Sequence, residues 1–329
     1  MLLVSNLARL PQNWVSKGGV CGRSIRCASV VCFLRYCFRR DSVFVINCDP
    51  ALLLKLCALF AIFPFFQRPL VAVDLVLREP RGWTGRLRAA AKRMLLRRVD
   101  HFIHHFKDLE GYQQVYGIGP ERSSFVFFKP NIRYEQEAGP VPEGDYVLCF
   151  GRSLRDFDTF FAAMETLPYP AAIPKPDFRA LAEHGARFSR DLDSLPANVQ
   201  LLPDDGSEQS QVRCLLGARL VVLPVLKTKM PSGASTALNS MLLGKCVIGS
   251  EAPGISDVFE DEVLTVPPED PQALAAAIDR AWKDDELRHR ISEAGRRLAL
   301  SLGGEPELYQ RIIEDVVVWL TDANAPCLP

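Results

Sequence analysis

The chain has no Cys-x-x-Cys pair and only five histidines in 329 residues. Zinc sites need Cys or His ligands clustered at short spacing. Only His101, His104 and His105 lie near one another, and they flank an apolar strand, so no metal is expected and no cofactor. No Gly-x-Gly-x-x-Gly follows a first strand with an acidic residue about 20 positions later, which argues against a dinucleotide-dependent oxidoreductase. No apolar run reaches the roughly 20 residues of a spanning helix. The longest, Ala51 to Phe66, is broken by Lys55 and Pro64 and reads as a core or interfacial segment. The N-terminal MLLVSNLARLPQNW has too short an apolar stretch for a secretory signal. Charged residues make up 24%, without the excess that marks disorder.

What is present is an ordinary globular composition, 48% hydrophobic, in a length that predicts about two domains. The net charge of zero hides an asymmetry: residues 1–140 carry 21 Lys and Arg against 10 Asp and Glu. A basic lobe serves nucleic acid, anionic lipid or an anionic substrate, or is merely a solvated face. The neighbouring apolar runs favour membrane over nucleic acid. The ten cysteines, many inside apolar stretches, read as reduced, buried thiols of a cytoplasmic protein.

Strand-like and helix-like segments alternate. In the first lobe Met1–Val4, Ser42–Asn47, Pro69–Leu77, Val99–Phe106 and Ser123–Asn131 read as strands. A helix is expected from about Ser24 to Arg40 and another after Asp49-Pro50. The segment TGRLRAAAKRMLLRRV is a basic amphipathic helix with Leu87, Ala91, Met94, Leu95 and Val99 along one side. That stripe suits either an anionic membrane surface or the helix's own sheet. Glu137 to Gly144, with Pro140 and Pro142, reads as a linker. The second lobe restarts with YVLCFGRSLRDF and continues with strands at PAAIP, NVQLLPD, ARLVVLPV and KCVIG. From Asp270 the chain turns helical to about Leu320. The pattern predicts an α/β protein with parallel sheets covered on both faces, divided as 1–138, 139–310 and a C-terminal helix and tail at 311–329.

The segment from Leu220 to Phe259 carries the most chemistry. A buried strand leads through a loop into Ser232-Gly233-Ala234-Ser235-Thr236, and Gly244 ends the helix before the next strand. This places a helix N-terminus at the carboxyl edge of a parallel sheet, where unpaired N–H groups and the helix dipole favour an anion such as a diphosphate. Small residues there also permit tight helix-to-sheet packing.

With N-S-M-L-L-G-K-C-V-I at Asn239–Ile248 and the loop Ala252–Asp257, the segment resembles the donor-binding signature of GT-B glycosyltransferases of the retaining family-4 kind, the glycosyl transferases group 1. The resemblance implies two Rossmann-like domains facing each other across a cleft, with a nucleotide-sugar donor held by Gly151, Arg152, Ser232, Gly233, Ala234, Ser235, Thr236 and Asn239. Gly151-Arg152 matches the first strand of the family's donor domain, and by that match Arg152, helped by Arg155, neutralises the leaving diphosphate. Structural salt bridges are the alternative for both arginines. The sequence departs from the family where two glutamates stand eight positions apart: here these are Pro231 and Asn239. Asn239 keeps hydrogen-bonding capacity, whereas Pro231 does not.

In the first lobe Asp74 ends a strand and is a catalytic candidate on the acceptor side, with His104 or His105, Lys129, Asn131 and the Gly18-Gly19 loop beside it. Capping and turn formation are the alternatives for Asp74. The implied activity is retaining transfer of a hexosyl group to a sugar, polysaccharide or lipid-linked acceptor, at the inner face of a membrane with anionic lipid. Nucleic acid is not an expected partner. A non-catalytic GT-B-like protein that binds nucleotide or a partner is the alternative, because both glutamates are absent.

Overall fold

The computed structural model describes residues 1–132 and 144–322. The chain divides into two compact units, Met1–Phe127 with Glu305–Pro329, and Phe128–Gly304. The expected linker at Glu137 to Gly144, with its boundary after residue 138, lies outside the described residues except for Gly144.

In the first unit the elements run β1 (Leu2–Ser5), β2 (Asn13–Val15), β3 (Cys21–Arg26), α1 (Val30–Leu34), β4 (Ser42–Asn47), α2 (Pro50–Ile62), β5 (Leu70–Val73), α3 (Gly82–Leu96), β6 (His101–His104), α4 (Glu110–Tyr116) and β7 (Ser123–Phe125). Their sheet has the order β2-β3-β1-β4-β5-β6-β7, parallel except for β2 against β3. Both faces of β1, β4 and β5 are covered, which is why they read as continuous apolar runs. Asp49 caps α2 by accepting the Leu52 N–H, and Pro50 occupies the first turn, where its missing N–H costs nothing.

The helix expected from Ser24 to Arg40 is not formed as such. CGRSIR pairs with β1 as a strand instead, and only Val30–Leu34, capped by Ser29, is helical. Tertiary strand pairing overrides the local pattern there. Between the two elements Cys27 and Cys32 form a disulfide, so these two cysteines are not the reduced thiols expected. The amphipathic α3 buries Ala89 and Leu96, while Leu87 and Met94 are 61% and 69% exposed. Of the stripe read from the sequence, Leu87, Ala91 and Met94 are exposed, Leu95 is half-buried, and Val99, just past the helix end, is buried.

The second unit contains β8 (Tyr146–Cys149), α5 (Phe157–Met164), β9 (Ala171–Pro174), α6 (Phe178–Glu183), β10 (Val199–Leu202), α7 (Glu208–Leu216), β11 (Ala218–Leu223), α8 (Ala234–Leu242), β12 (Cys246–Ser250), β13 (Val263–Val266), α9 (Pro271–Lys283) and α10 (Asp285–Leu302). The sheet is wholly parallel with the order β10-β9-β8-β11-β12-β13. Chain order reverses direction between β8 and β11, the topological switch point at which open α/β sheets bind ligands. A core of Val147, Phe160, Phe161, Met164, Leu220, Ile248 and Ile278 covers one face. Gly303 ends α10 with a positive φ of 64°, and a separate helix, α11 (Glu305–Thr321), follows. It belongs with the first unit, where Asp315 accepts from Ser124 Oγ at 2.6 Å and Trp319 stacks on His101.

Candidate functional site

The carboxyl ends of four adjacent strands of the second sheet line one cavity of about 620 Å³. After β8 come Gly151, Arg152, Ser153 and Arg155; Ser232, Gly233, Ser235, Thr236 and Asn239 approach from the loop after β11 and the first turns of α8. After β9 come Lys175 and Asp177, and after β10 Asp204 and Asp205. The structure thus brings together every donor residue expected from the sequence except Ala234, which opens α8 without lining the cavity.

Arg155 is the unusual group. Its side chain is only 1% exposed, its Nη1 reaches Pro224 O at a long 3.4 Å, and its Nε has no partner among the described residues. No carboxylate pairs with it there, so the salt-bridge alternative does not apply. Burial holds its pKa down to about 10, because desolvation disfavours the charged form. A buried cation left so poorly satisfied costs free energy unless an anion pairs with it.

Two features hold Arg155 in place. Gly151 has φ +106°, and a Cβ there would stand 2.5 Å from Arg155 Nη2; only glycine lets the guanidinium lie against that loop. The next residue after the arginine, Asp156, is fully buried, accepts from Thr159 N at 3.1 Å and Thr159 Oγ1 at 2.6 Å, and receives Arg187 through Nε at 3.0 Å and Nη2 at 2.5 Å. This bidentate pair anchors the loop between β8 and α5. Arg152, by contrast, is exposed at the rim.

The second positive element is α8. Gly233 precedes it with φ +97° and no side chain caps its first turn, so its leading N–H groups and the positive end of its dipole remain available. A Cβ on Gly233 would meet Ile255 Cδ1 at 2.7 Å. Ser232 is occupied structurally: its Oγ donates to Ser153 O at 2.6 Å and its N–H to Pro253 O at 2.9 Å, tying the α8 loop to the β8 loop. Asn239 Oδ1 accepts the Asn131 N–H at 2.7 Å, leaving its amide NH₂ and the second lone pair of Oδ1 for a ligand.

The acceptor-side candidates lie elsewhere. Asp74 follows β5 in the first unit with φ +48°, its N–H bonded to Ile103 O at 3.0 Å. Cys48 follows the neighbouring β4 with the same φ. Two non-glycine residues in the left-handed region at adjacent strand ends are a strained arrangement of the kind found at functional edges. His104 departs from its expected role: it is buried among Phe102, Phe106 and Tyr112, its Nδ1 has no partner, and burial lowers its pKa to about 3. It is a neutral core histidine. His105 donates from Nδ1 to Val126 O at 2.7 Å. Gly18 and Gly19 also depart from expectation: they form the turn between β2 and β3, before the first residue of β3, and so sit at the amino edge of the sheet. Lys129 falls in the second unit outside the cavity, its Nζ bonded to Pro130 O and Asn131 Oδ1.

Lys175, Asp177, Asp204 and Asp205 are not among the residues that the sequence motifs single out. They stand at or just after the ends of the segments PAAIP and NVQLLPD, and the rule that polar residues at carboxyl strand ends face the ligand crevice marks them as it marks Asp74.

Residues 193–298 match the family model of the glycosyl transferases group 1. The structure of HepE from Anabaena in complex with UDP is similar at a TM-score of 0.63 and 16% identity, covering 90% of this chain and 86% of that one. Sucrose-phosphate synthase from Thermosynechococcus elongatus gives 0.61 and 17%, covering 97% and 88%. A glycosyltransferase from Rickettsia africae gives 0.59 and 11%, covering 92% and 86%. The fold is GT-B. In this GT-B chain the family match runs from just before β10 into α10 and so includes α8. No curated protein matches the GT-B chain by sequence.

Proposed function

We propose that the protein is a glycosyltransferase that takes a sugar from a nucleoside diphosphate donor bound in the cavity of the second unit. The observation that carries this is the fully buried, poorly satisfied Arg155 guanidinium beside the uncapped N-terminus of α8. Both favour an anion, and together they fit a diphosphate. HepE, of similar fold, has been solved with UDP and with UDP-glucose. As the bond from the sugar anomeric carbon to the phosphate oxygen breaks, negative charge grows on the diphosphate. Arg155, the α8 amides and Arg152 then stabilise that charge more than they stabilise the intact donor. The acceptor hydroxyl oxygen forms the new bond to the anomeric carbon and passes its proton to the departing diphosphate oxygen. On the acceptor side we assign Asp74 of the first unit to holding the acceptor, and the retaining outcome follows the family resemblance. Nothing in the scheme calls for a metal or cofactor.

The acceptor is proposed to be lipid-linked or saccharide, used at an anionic membrane surface. Exposed Phe65, Trp83, Leu87 and Met94 accompany Arg86, Arg93 and Arg97 in the first unit, a basic and apolar combination suited to such an interface. No helix among the described residues is long and apolar enough to cross a membrane. Co-sedimentation with anionic vesicles at low salt is expected; recovery in the supernatant would remove this part.

A non-catalytic nucleotide-binding protein is the second possibility, favoured by the engagement of Asn239 with Asn131 N and by Pro231. Release of nucleoside diphosphate from a panel of sugar nucleotides separates the two. Turnover with one donor, lost in Arg152→Ala, supports the transferase; binding without turnover across varied acceptors supports the alternative.

A further inference from the structure

The cavity is electrically divided along the sheet edge. At one end stand Arg155, Arg152 and the N-terminus of α8, after β8 and β11; at the other stand Asp204 and Asp205 after β10. Strand spacing of about 4.8 Å puts β10 and β11, three steps apart, about 14 Å from each other, a length suited to a nucleoside diphosphate laid from base to phosphate. With the diphosphate at the positive end, the base falls against Asp204 and Lys175.

Asp204 is half-buried, close enough to Cys214 for its charge to act on that thiol. Its Oδ1 accepts the Gly206 N–H at 2.9 Å, and Oδ2 has no partner among the described residues. Lys175 also lines the cavity, and its ammonium is likewise without a partner there. A carboxylate is an acceptor only. It rewards a base edge that presents adjacent N–H donors and penalises one that presents carbonyl oxygens. Guanine offers N1–H and N2–H₂ side by side, with O6 next to them for an ammonium. Uracil offers one N–H between two carbonyls, and adenine and cytosine each offer an amino group beside a bare acceptor nitrogen.

We infer that the donor is a guanine nucleotide, its base read by the Asp204 carboxylate with Lys175 on O6. This rests on the proposed donor site and adds the identity of the nucleoside. A site built to hydrogen-bond a donor edge rejects analogues that lack it, and a charge-assisted pair of bonds predicts at least about 10-fold discrimination.

The test is titration calorimetry of the full chain with GDP, UDP, ADP and CDP, repeated on Asp204→Asn and, as an independent variant, Lys175→Met. Asparagine keeps the oxygen that accepts Gly206 N–H, so the turn is retained. The expected result is GDP binding at least about 10-fold tighter than the others, with that preference reduced in both variants. UDP, ADP or CDP binding as tightly as GDP overturns the guanine assignment and leaves the donor site standing. A GDP preference that survives in both variants overturns the roles of Asp204 and Lys175. Absence of binding by every diphosphate overturns the donor site and this inference together.

Discussion

Replacing Arg155 with methionine separates a ligand-binding cation from a structural one. The guanidinium is fully buried without a carboxylate, and the fall of its pKa from 12.5 to about 10 corresponds to about 3 kcal/mol at about 1.4 kcal/mol per pH unit. Because the folded-state value is the lower one, this cost is carried at every pH below about 10. Methionine of similar length removes it, and apolar replacement of buried charge stabilises by about 1–4 kcal/mol. At about 2–4 °C per kcal/mol for a unit of this size, the melting temperature of the free protein rises by several degrees. Affinity for a nucleoside diphosphate falls in the opposite sense, by about 10- to 150-fold, for the loss of hydrogen bonds to a charged group. Scanning calorimetry with and without nucleotide reads both effects on one sample. A less stable Arg155→Met protein with undiminished nucleotide affinity would refute the reasoning and make the arginine a strut.

Gly151→Ala forces a Cβ against Arg155 and a side chain into a left-handed backbone; a loss of about 1–3 kcal/mol is expected by urea unfolding, together with weaker nucleotide binding. Asp156→Ala removes the buried carboxylate that accepts from Thr159 and Arg187, while Arg187 keeps Glu269, and should cost about 1–3 kcal/mol, seen as a lower urea midpoint. His104, with a folded pKa of about 3 against an ordinary 6.5, contributes stability that is full above pH 6.5 and is lost as pH falls toward 3. His104→Phe, which keeps the ring packing, should flatten the stability profile between pH 7 and 5; an unchanged profile would contradict the burial argument. Reduction of Cys27–Cys32 should raise the titratable thiol count by two and lower stability by about 2 kcal/mol.

Most of the alternating architecture is legible in the sequence because buried parallel strands write continuous apolar runs, as in LVVL at 220–223, and because Asp49, Asp156 and Asp270 stand where helices begin. The donor loop is legible through Gly233 and its small neighbours. What escapes depends on tertiary partners. CGRSIR becomes a strand only because β1 lies beside it, and Gly18-Gly19 moves to the amino edge once that pairing exists. The solvent-facing side of α3 cannot be told from its core side by periodicity, since both carry apolar residues. The sequence puts Arg152 first and Arg155 in support, yet Arg155 is the buried one and Arg152 is exposed. Asp204 escapes notice because a Pro-Asp-Asp-Gly stretch reads first as a turn, and it is one.

The most direct measurement is a thermal-shift screen of the protein against UDP, GDP, ADP, CMP, their sugar conjugates and NAD. A nucleoside diphosphate at about 100 times its dissociation constant should stabilise the fold by roughly 2.7 kcal/mol, and the shift should diminish in Arg152→Ala. Stabilisation by NAD alone, or by none of these compounds, would contradict the donor site on which the account depends.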